Sequence, residues 1–268
     1  MITLSSDFGS PYPAAMKGVV LQQSDARLVD VAHDFPRQDV RATAFWLREV
    51  LPHFPPAVHL VVVDPGVGTD RAAVVVRAGD HALVGPDNGV LLPAARALAA
   101  GADSGGDDGD AADLDAADVE IFQIAVDDPQ SSTFHGRDVF APAAATVHEA
   151  GVDHFHEDDG FAPADSFEDL QFPTATVSDL GASGEALVVD GFGNVVTNVP
   201  GDAVAGRFGE QVRINGEPAP VRRTYAHVDP GDRLVTVGSH GNVELAVNRG
   251  RGDEAFRVDP GSRVELEY

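Results

Sequence analysis

The chain has no cysteine. That excludes disulfides, thiolate zinc sites and a thiol nucleophile. It has one lysine, Lys17, and its 18 lysines and arginines together face 43 aspartates and glutamates. No stretch gathers basic residues into a stripe able to neutralise phosphates, so nucleic acid is not an expected partner. No apolar run approaches the roughly 20 residues that a bilayer span requires. No leader or anchor pattern opens the chain, so the expectation is a cytoplasmic protein that does not enter a membrane.

What is present in excess is negative charge, a net of -25 over 268 residues. Self-repulsion on this scale is tolerable where salt screens it, because the Debye length shrinks from about 10 Å at 0.1 M to about 3 Å at 1 M. The surface reads as that of a halophilic protein. The acids are spread along the chain and are not set at calcium-loop spacing, so no metal site is expected. The hydrophobic content of 43% is ordinary for a globular protein of this length, and the length suits two domains.

The first half alternates strand-like runs with helical stretches. "MITLSSD", "ARLVDVAHD", "AVHLVVVD", "RAAVVVRAG", "HALVGPD" and "VEIFQIAV" read as strands, and "PAAMKGVVLQQS", "DVRATAFWLREVL", "GVLLPAARALAA" and "GRDVFAPAAATVHEAG" as helices. Continuous Val/Ile/Leu strands between helices predict a mostly parallel sheet flanked by helices, an α/β domain. The Gly/Asp-rich residues 101–118 predict a mobile surface loop. From about 152 to 180 the texture becomes polar and proline-punctuated, which reads as a linker. Beyond it, short alternating runs separated by turn residues predict a small all-β barrel or sandwich. The expected boundaries are 1–165 for the α/β domain, 166–179 for the linker and 180–268 for the β domain.

Five clusters place polar and special-backbone residues at strand ends, the edge where open α/β sheets hold ligands. In "SSDFG", Asp7 follows a strand; its carboxylate suits either two ribose hydroxyls or the N-cap of the next helix. In "VVVDPGVGTDR", Asp64 ends a buried strand and Arg71 begins the next. Turn chemistry explains the proline and glycines there, but not the arginine. Asp87 and Asn88 in "VGPDNG" read best as capping residues. "SSTFHGRDVF" contributes His135, either a packed helix-start histidine or a catalytic one. "VVDGFGNVVTN" sets Asp190 and Asn194 around Phe192, dense in hydrogen-bonding and stacking groups for a plain hairpin.

Taken together, "SSDFG", "MKG", "VVDPGVGTDR", "GPDNG", "TFHGRDVFAPAAA" and "DGFGNVVTN" occur in the order and spacing of the S-adenosylmethionine hydroxide adenosyltransferases. Those enzymes are relatives of the fluorinase and chlorinase that displace methionine from S-adenosylmethionine with a halide. The resemblance spans essentially the whole chain. It implies an α/β N-terminal domain, a C-terminal β-barrel and a homotrimer with active sites between neighbouring subunits. It also implies hydrolysis of S-adenosylmethionine to adenosine and L-methionine, with no metal and no cofactor beyond that substrate.

By the same resemblance, Asp64, Arg71 and His135 surround the attacking water, and Asp7 holds the ribose hydroxyls. Phe192, Asn194 and Tyr225 match barrel positions around methionine and adenine, with Asp190 in the same segment. Ser239 matches a position near the methionine carboxylate, and Asn248 falls in the adenine-facing segment. The chain departs from the pattern in "DFGSPY", which lacks two residues, one of them acidic, that relatives carry. His240 stands where the halogenases often have arginine. Two other readings of the same residues are a halogenase and a non-catalytic adenosine-binding protein.

Overall fold

The computed structural model describes residues 1–103, 119–126 and 133–268. The body of the acidic stretch expected as a loop, 104–118, lies outside the described residues, as do 127–132. The helix before that stretch runs on through Gly101 to Asp103. The chain divides into two compact units, Met1–Gln171 and Phe172–Tyr268.

The first unit is built on seven strands: β1 (Ile2–Ser6), β2 (Leu28–Ala32), β3 (Val58–Val62), β4 (Ala73–Ala78), β5 (His81–Pro86), β6 (Glu120–Ile124) and β7 (Phe161–Pro163). Their order is β2-β1-β3-β5-β4-β6-β7. Pairs β1/β2, β1/β3 and β3/β5 are parallel, and pairs β4/β5, β4/β6 and β6/β7 are antiparallel. Strands β1, β2, β3, β5 and β6 therefore share one direction, as the mostly parallel expectation required. Every residue of β1 and β3 is buried, and apart from His59 on β3 both are runs of apolar or small residues.

Among the described residues four α-helices flank this sheet: α1 (Tyr12–Leu21), α2 (Val40–Val50), α3 (Leu92–Asp103) and α4 (Ala141–Ala150). The Asp39 side chain caps α2 by accepting from Ala42 N at 2.9 Å. Helix α1 packs on α4, which lies against β1, β3 and β5; α2 packs on α3, which lies against β4 and β5. One sheet face buries Ile2, Leu4, Leu60 and Val84 beneath Met16, Val20, Phe140 and Val147. The small run "APAAA" has its reason here. Ala141, Ala143, Ala144 and Ala145 are buried, and their size lets α4 lie close to the strands. The polar stretch after α4 still belongs to this unit. Phe155 and Phe161 are buried in its core, edge-on to each other at 5.2 Å, and β7 extends the sheet.

The second unit is an antiparallel, nearly closed barrel. Its strands are β8 (Thr176–Ser178), β9 (Gly181–Val189), β10 (Val195–Pro200), β11 (Gln211–Ile214), β12 (Glu217–Pro220), β13 (Arg233–Val237), β14 (Asn242–Val247) and β15 (Arg263–Glu267). They run in the order β12-β11-β15-β9-β10-β14-β13, with β8 beside β9. Val221, just past β12, bridges to Val235 on β13 and draws the two ends of the sheet together. Strands β11 and β15 alternate exposed and buried residues, the period that made them legible. Two short helices, α5 (Asp202–Ala205) and α6 (Gly252–Phe256), interrupt the strands and were not expected.

Candidate active site

At the end of β1, Asp7 Oδ2 accepts from Gln38 N at 2.6 Å. The N-cap of α1 is Pro11, without a side-chain cap, so Asp7 does not cap the following helix. Gly9 takes φ of +63° in the turn between them, a conformation costly for a side-chain-bearing residue. Its N–H donates to His33 O at 2.8 Å.

Past β3, Asp64 Oδ1 accepts from Gly66 N at 2.9 Å and stands 3.6 Å from Arg71 Nη1. The Asp64 side chain is 6% exposed and that of Arg71 29%. The guanidinium folds back over the turn because residue 66 is glycine. A Cβ there would sit 2.5 Å from Arg71 Nη2. Turn chemistry and the arginine are thus one feature: the glycine makes room for the ion pair.

His135 precedes a π-helical turn, Gly136–Phe140, that leads directly into α4. Such turns are rare and concentrate at functional sites. Gly136 permits the turn to approach α1 and β3, since a Cβ would meet Met16 Sδ at 2.9 Å and Val62 Cγ1 at 3.1 Å. Within "FHGRD", Arg137 donates to Asp138 at 2.6 and 2.9 Å and lies over the Phe134 ring at 5.3 Å. Arg71 and His135 line the same cavity of about 490 Å³, together with Thr69, Gln123 and Phe140. The structure therefore brings Arg71 to Asp64 and sets it in one cavity with His135. Nearby, Phe8, Tyr12 and Phe134 meet edge-on with centroids 5.6 to 6.2 Å apart. That cluster joins the 8–12 turn to Phe134, far along the chain, so no local signal announced it.

Asp87 and Asn88 act through backbone. Asp87 accepts from Glu168 N at 2.9 Å. Asn88 donates to Val63 O at 2.9 Å and accepts from Val90 N at 3.1 Å.

In the second unit, Asp190 Oδ1 accepts from Phe192 N and Asn194 N, each at 2.8 Å, and Oδ2 accepts from Asn194 Nδ2 at 3.0 Å. This carboxylate folds its own loop, burying Asn194 and leaving the Phe192 ring at the tip, 82% exposed. Tyr225 donates its hydroxyl to Glu244 Oε1 at 2.6 Å. Burial, followed by that hydrogen bond and the Glu244 charge, pushes the phenol well above its ordinary pKa. Glu244 is buried, and its Oε2 stands 3.6 Å from His240 Nε2. The sequence reading missed Glu244; a lone acid inside the apolar run "VELAV" was the available signal. Ser239 is exposed in the turn after β13. Asn248 donates to Val228 O at 2.8 Å, tying β14 to the turn that carries Tyr225.

Comparison with known proteins agrees over nearly the whole chain. The SAM hydroxide adenosyltransferase N-terminal domain model matches residues 2–156, and the C-terminal domain model matches residues 184–265. A Salinispora tropica protein named (R)-S-adenosyl-L-methionine hydrolase is 38% identical, covering 99% of this chain and 97% of that protein. A Thermus thermophilus protein of the same name is also 38% identical, with 97% of each chain covered. The crystal structure of an uncharacterized conserved protein from Thermotoga maritima superposes with a TM-score of 0.80 at 31% identity, covering 99% of this chain and 100% of that one.

Proposed function

The chain belongs to the SAM hydroxide adenosyltransferase family, and from that premise we propose that it hydrolyses S-adenosylmethionine to adenosine and L-methionine. The observation that carries this reading is the 38% identity, over nearly the full length of both chains, to relatives named (R)-S-adenosyl-L-methionine hydrolase. Their name specifies the R configuration at sulfur, and the proposal takes that epimer as the substrate.

Water oxygen attacks the ribose 5′-carbon as the carbon–sulfur bond breaks, and methionine leaves as a neutral thioether. The leaving group needs no acid; the difficulty lies in the nucleophile. Free water has a pKa of about 15.7 and an ordinary imidazole about 6.5, so histidine alone is a weak base for it. In this reading either Asp64 accepts the water proton itself or it orients His135, which accepts it, while Arg71 stabilises the negative charge that develops on the oxygen. Excluding bulk water strengthens the attraction between a hydroxide-like oxygen and the sulfonium, whose charges cancel as they react. Asp7 accepts the ribose hydroxyls. Phe192, Asn194 and Tyr225 surround adenine and methionine, with Asp190 shaping their loop. Ser239 lies near the methionine carboxylate, and Asn248 steadies the adenine-facing segment. The scheme requires neither metal nor cofactor.

Chromatography of products formed from the resolved epimers in oxygen-labelled water tests the proposal. Labelled adenosine from the R epimer is expected. A predominant 5′-chloro nucleoside in chloride buffer would make the protein a halogenase, and unchanged substrate would make it a binding protein.

Among the described residues no helix is long and apolar enough to cross a membrane. The proposal adds a cytoplasmic location, a salt-rich milieu and a homotrimer with active sites shared between neighbours. Light scattering in molar salt checks the assembly: active monomers alone would refute the trimer.

A further inference from the structure

Four side chains from three strands and helices, and the loop beside them, form one continuous line. Lys17 Nζ on α1 donates to Asp30 Oδ2 on β2 at 2.6 Å. Asp30 Oδ1 stands 2.9 Å from His33 Nε2, and His33 Nδ1 stands 2.7 Å from Ser6 Oγ at the end of β1. A carboxylate only accepts, so Nε2 carries a proton and donates to Asp30, while Nδ1 meets the buried Ser6 hydroxyl. The Asp30 carboxyl lies below its ordinary pKa. Burial works to raise it, and the hydrogen bonds from Lys17 and His33, together with their charges, outweigh that effect.

The same loop is fastened to Asp7. His33 O accepts from Gly9 N at 2.8 Å, and Gln38 N donates to Asp7 Oδ2 at 2.6 Å. Gln38 has φ of +60°, an unfavourable region for a residue with a Cβ. A strained backbone is thus held where its N–H meets the Asp7 carboxylate, a placement that points to function.

Stability does not account for the lysine at the end of the line. The Lys17 and Asp30 side chains are 31% and 45% exposed, and pairs this open contribute little, less still in salt. Yet a chain with no other lysine has one here.

We propose that Lys17, Asp30 and His33 are positioning residues of the nucleoside subsite, fixing the 33–38 loop so that Gln38 N aims the Asp7 carboxylate at the ribose. The inference rests on the reading of Asp7 as the ribose acceptor, and the experiment separates the two. Adenosine binding by calorimetry and steady-state hydrolysis are measured on Asp7→Ala, Lys17→Met and Lys17→Arg. Lys17→Met is expected to weaken adenosine binding roughly two- to tenfold, the worth of one net hydrogen bond. KM rises in step while kcat holds, and Lys17→Arg restores most of the affinity. Should Lys17→Met misfold, the single lysine offers another route. Acetylating the folded wild type modifies Lys17 and the terminal amine, whereas the same treatment of Lys17→Arg reaches only the terminus. Affinity is expected to drop in the first and not in the second. Unchanged affinity after removal of the lysine charge, with Asp7→Ala clearly weakened, overturns the positioning role and leaves Asp7 in place. Unchanged affinity in Asp7→Ala removes the ribose reading, and this inference with it.

Discussion

Asp7, Asp64 and Asp190 all follow strands, yet their carboxylates are used differently. Asp190 accepts three hydrogen bonds from its own loop, close to the four that a carboxylate accommodates. Asp7 and Asp64 each accept one backbone N–H, which leaves oxygen lone pairs to meet a ligand or a water. If Asp64, Arg71 and His135 act as one unit on the water, replacing any one lowers turnover by about 10²–10⁴-fold, the usual range for a positioned acid or base. Adenosine binding stays nearly intact, and double variants lose little more than single ones, because groups that act together fail together. Additive losses in single-turnover rates would show that they act separately. A different buried group sets an acid limit on stability. His59 is buried on β3, 2.7 Å from Thr3 Oγ1 and 2.9 Å from His81 Nδ1. Burial, with the His81 charge beside it, holds its pKa down at about 3. An unfolded histidine titrates near 6.5, so below that pH the unfolded chain takes up a proton that the native state refuses. His59 should therefore contribute a loss of about 1.4 kcal/mol per pH unit as pH falls from 6.5 toward 3, and none above 6.5. Denaturant titrations between pH 6.5 and 5 measure it. A His59→Gln variant with the same pH slope as wild type would clear His59 of the effect.

At the scale of elements, the turn after β3 and the turn before α4 each depend on one glycine. A methyl at residue 66 would press on the Arg71 guanidinium, 2.5 Å from Nη2, but that side-chain end can move away. Gly66→Ala is therefore expected to displace Arg71 from Asp64, lowering kcat while shifting Tm little. Full activity would mean that the ion pair is not needed where it stands. Gly85 provides the contrast, since its added Cβ would lie 2.5 Å from the Val61 carbonyl oxygen. A backbone atom yields less readily, so Gly85→Ala should depress Tm. The same elements show what the sequence can and cannot disclose. β1 and β3 are legible because strands buried on both faces are apolar or small at nearly every position, His59 on β3 being the exception. The "HGRD" corner is legible because small and charged types crowd together just before an alanine run. β7 is hidden because three residues leave no period to detect; only Phe155 and Phe161, six apart in polar surroundings, mark the core they enter. α6, five residues long, is likewise too short for helical periodicity. The Lys17–Asp30–His33–Ser6 line draws on separate segments that only folding brings into contact. Its one trace in the sequence is the solitary lysine.

Across the whole molecule, charge imbalance is the dominant variable. Several of the few cations are already committed to local pairs, such as Arg77 with Glu120, Arg96 with Asp169 and Arg251 with Asp253. Such pairs neutralise neighbours and leave the net charge of -25 to repel over longer distances. At about 0.1 M salt the Debye length is about 10 Å and that repulsion crosses the surface; at about 1 M it is about 3 Å and acts only between adjacent groups. Repulsion of this kind weighs on the compact state more than on the expanded chain, whose charges lie farther apart. The thermal midpoint should therefore rise steeply as potassium chloride goes from the low to the molar range. Salt can also act by exclusion from apolar surface, which strengthens burial in any protein. Melts in sucrose at matched water activity separate the two, because sucrose is excluded yet does not screen. A gain in potassium chloride that sucrose does not reproduce assigns the effect to charge. A midpoint as high in low salt as in molar salt would mean that the acidic surface is carried at no cost to the fold.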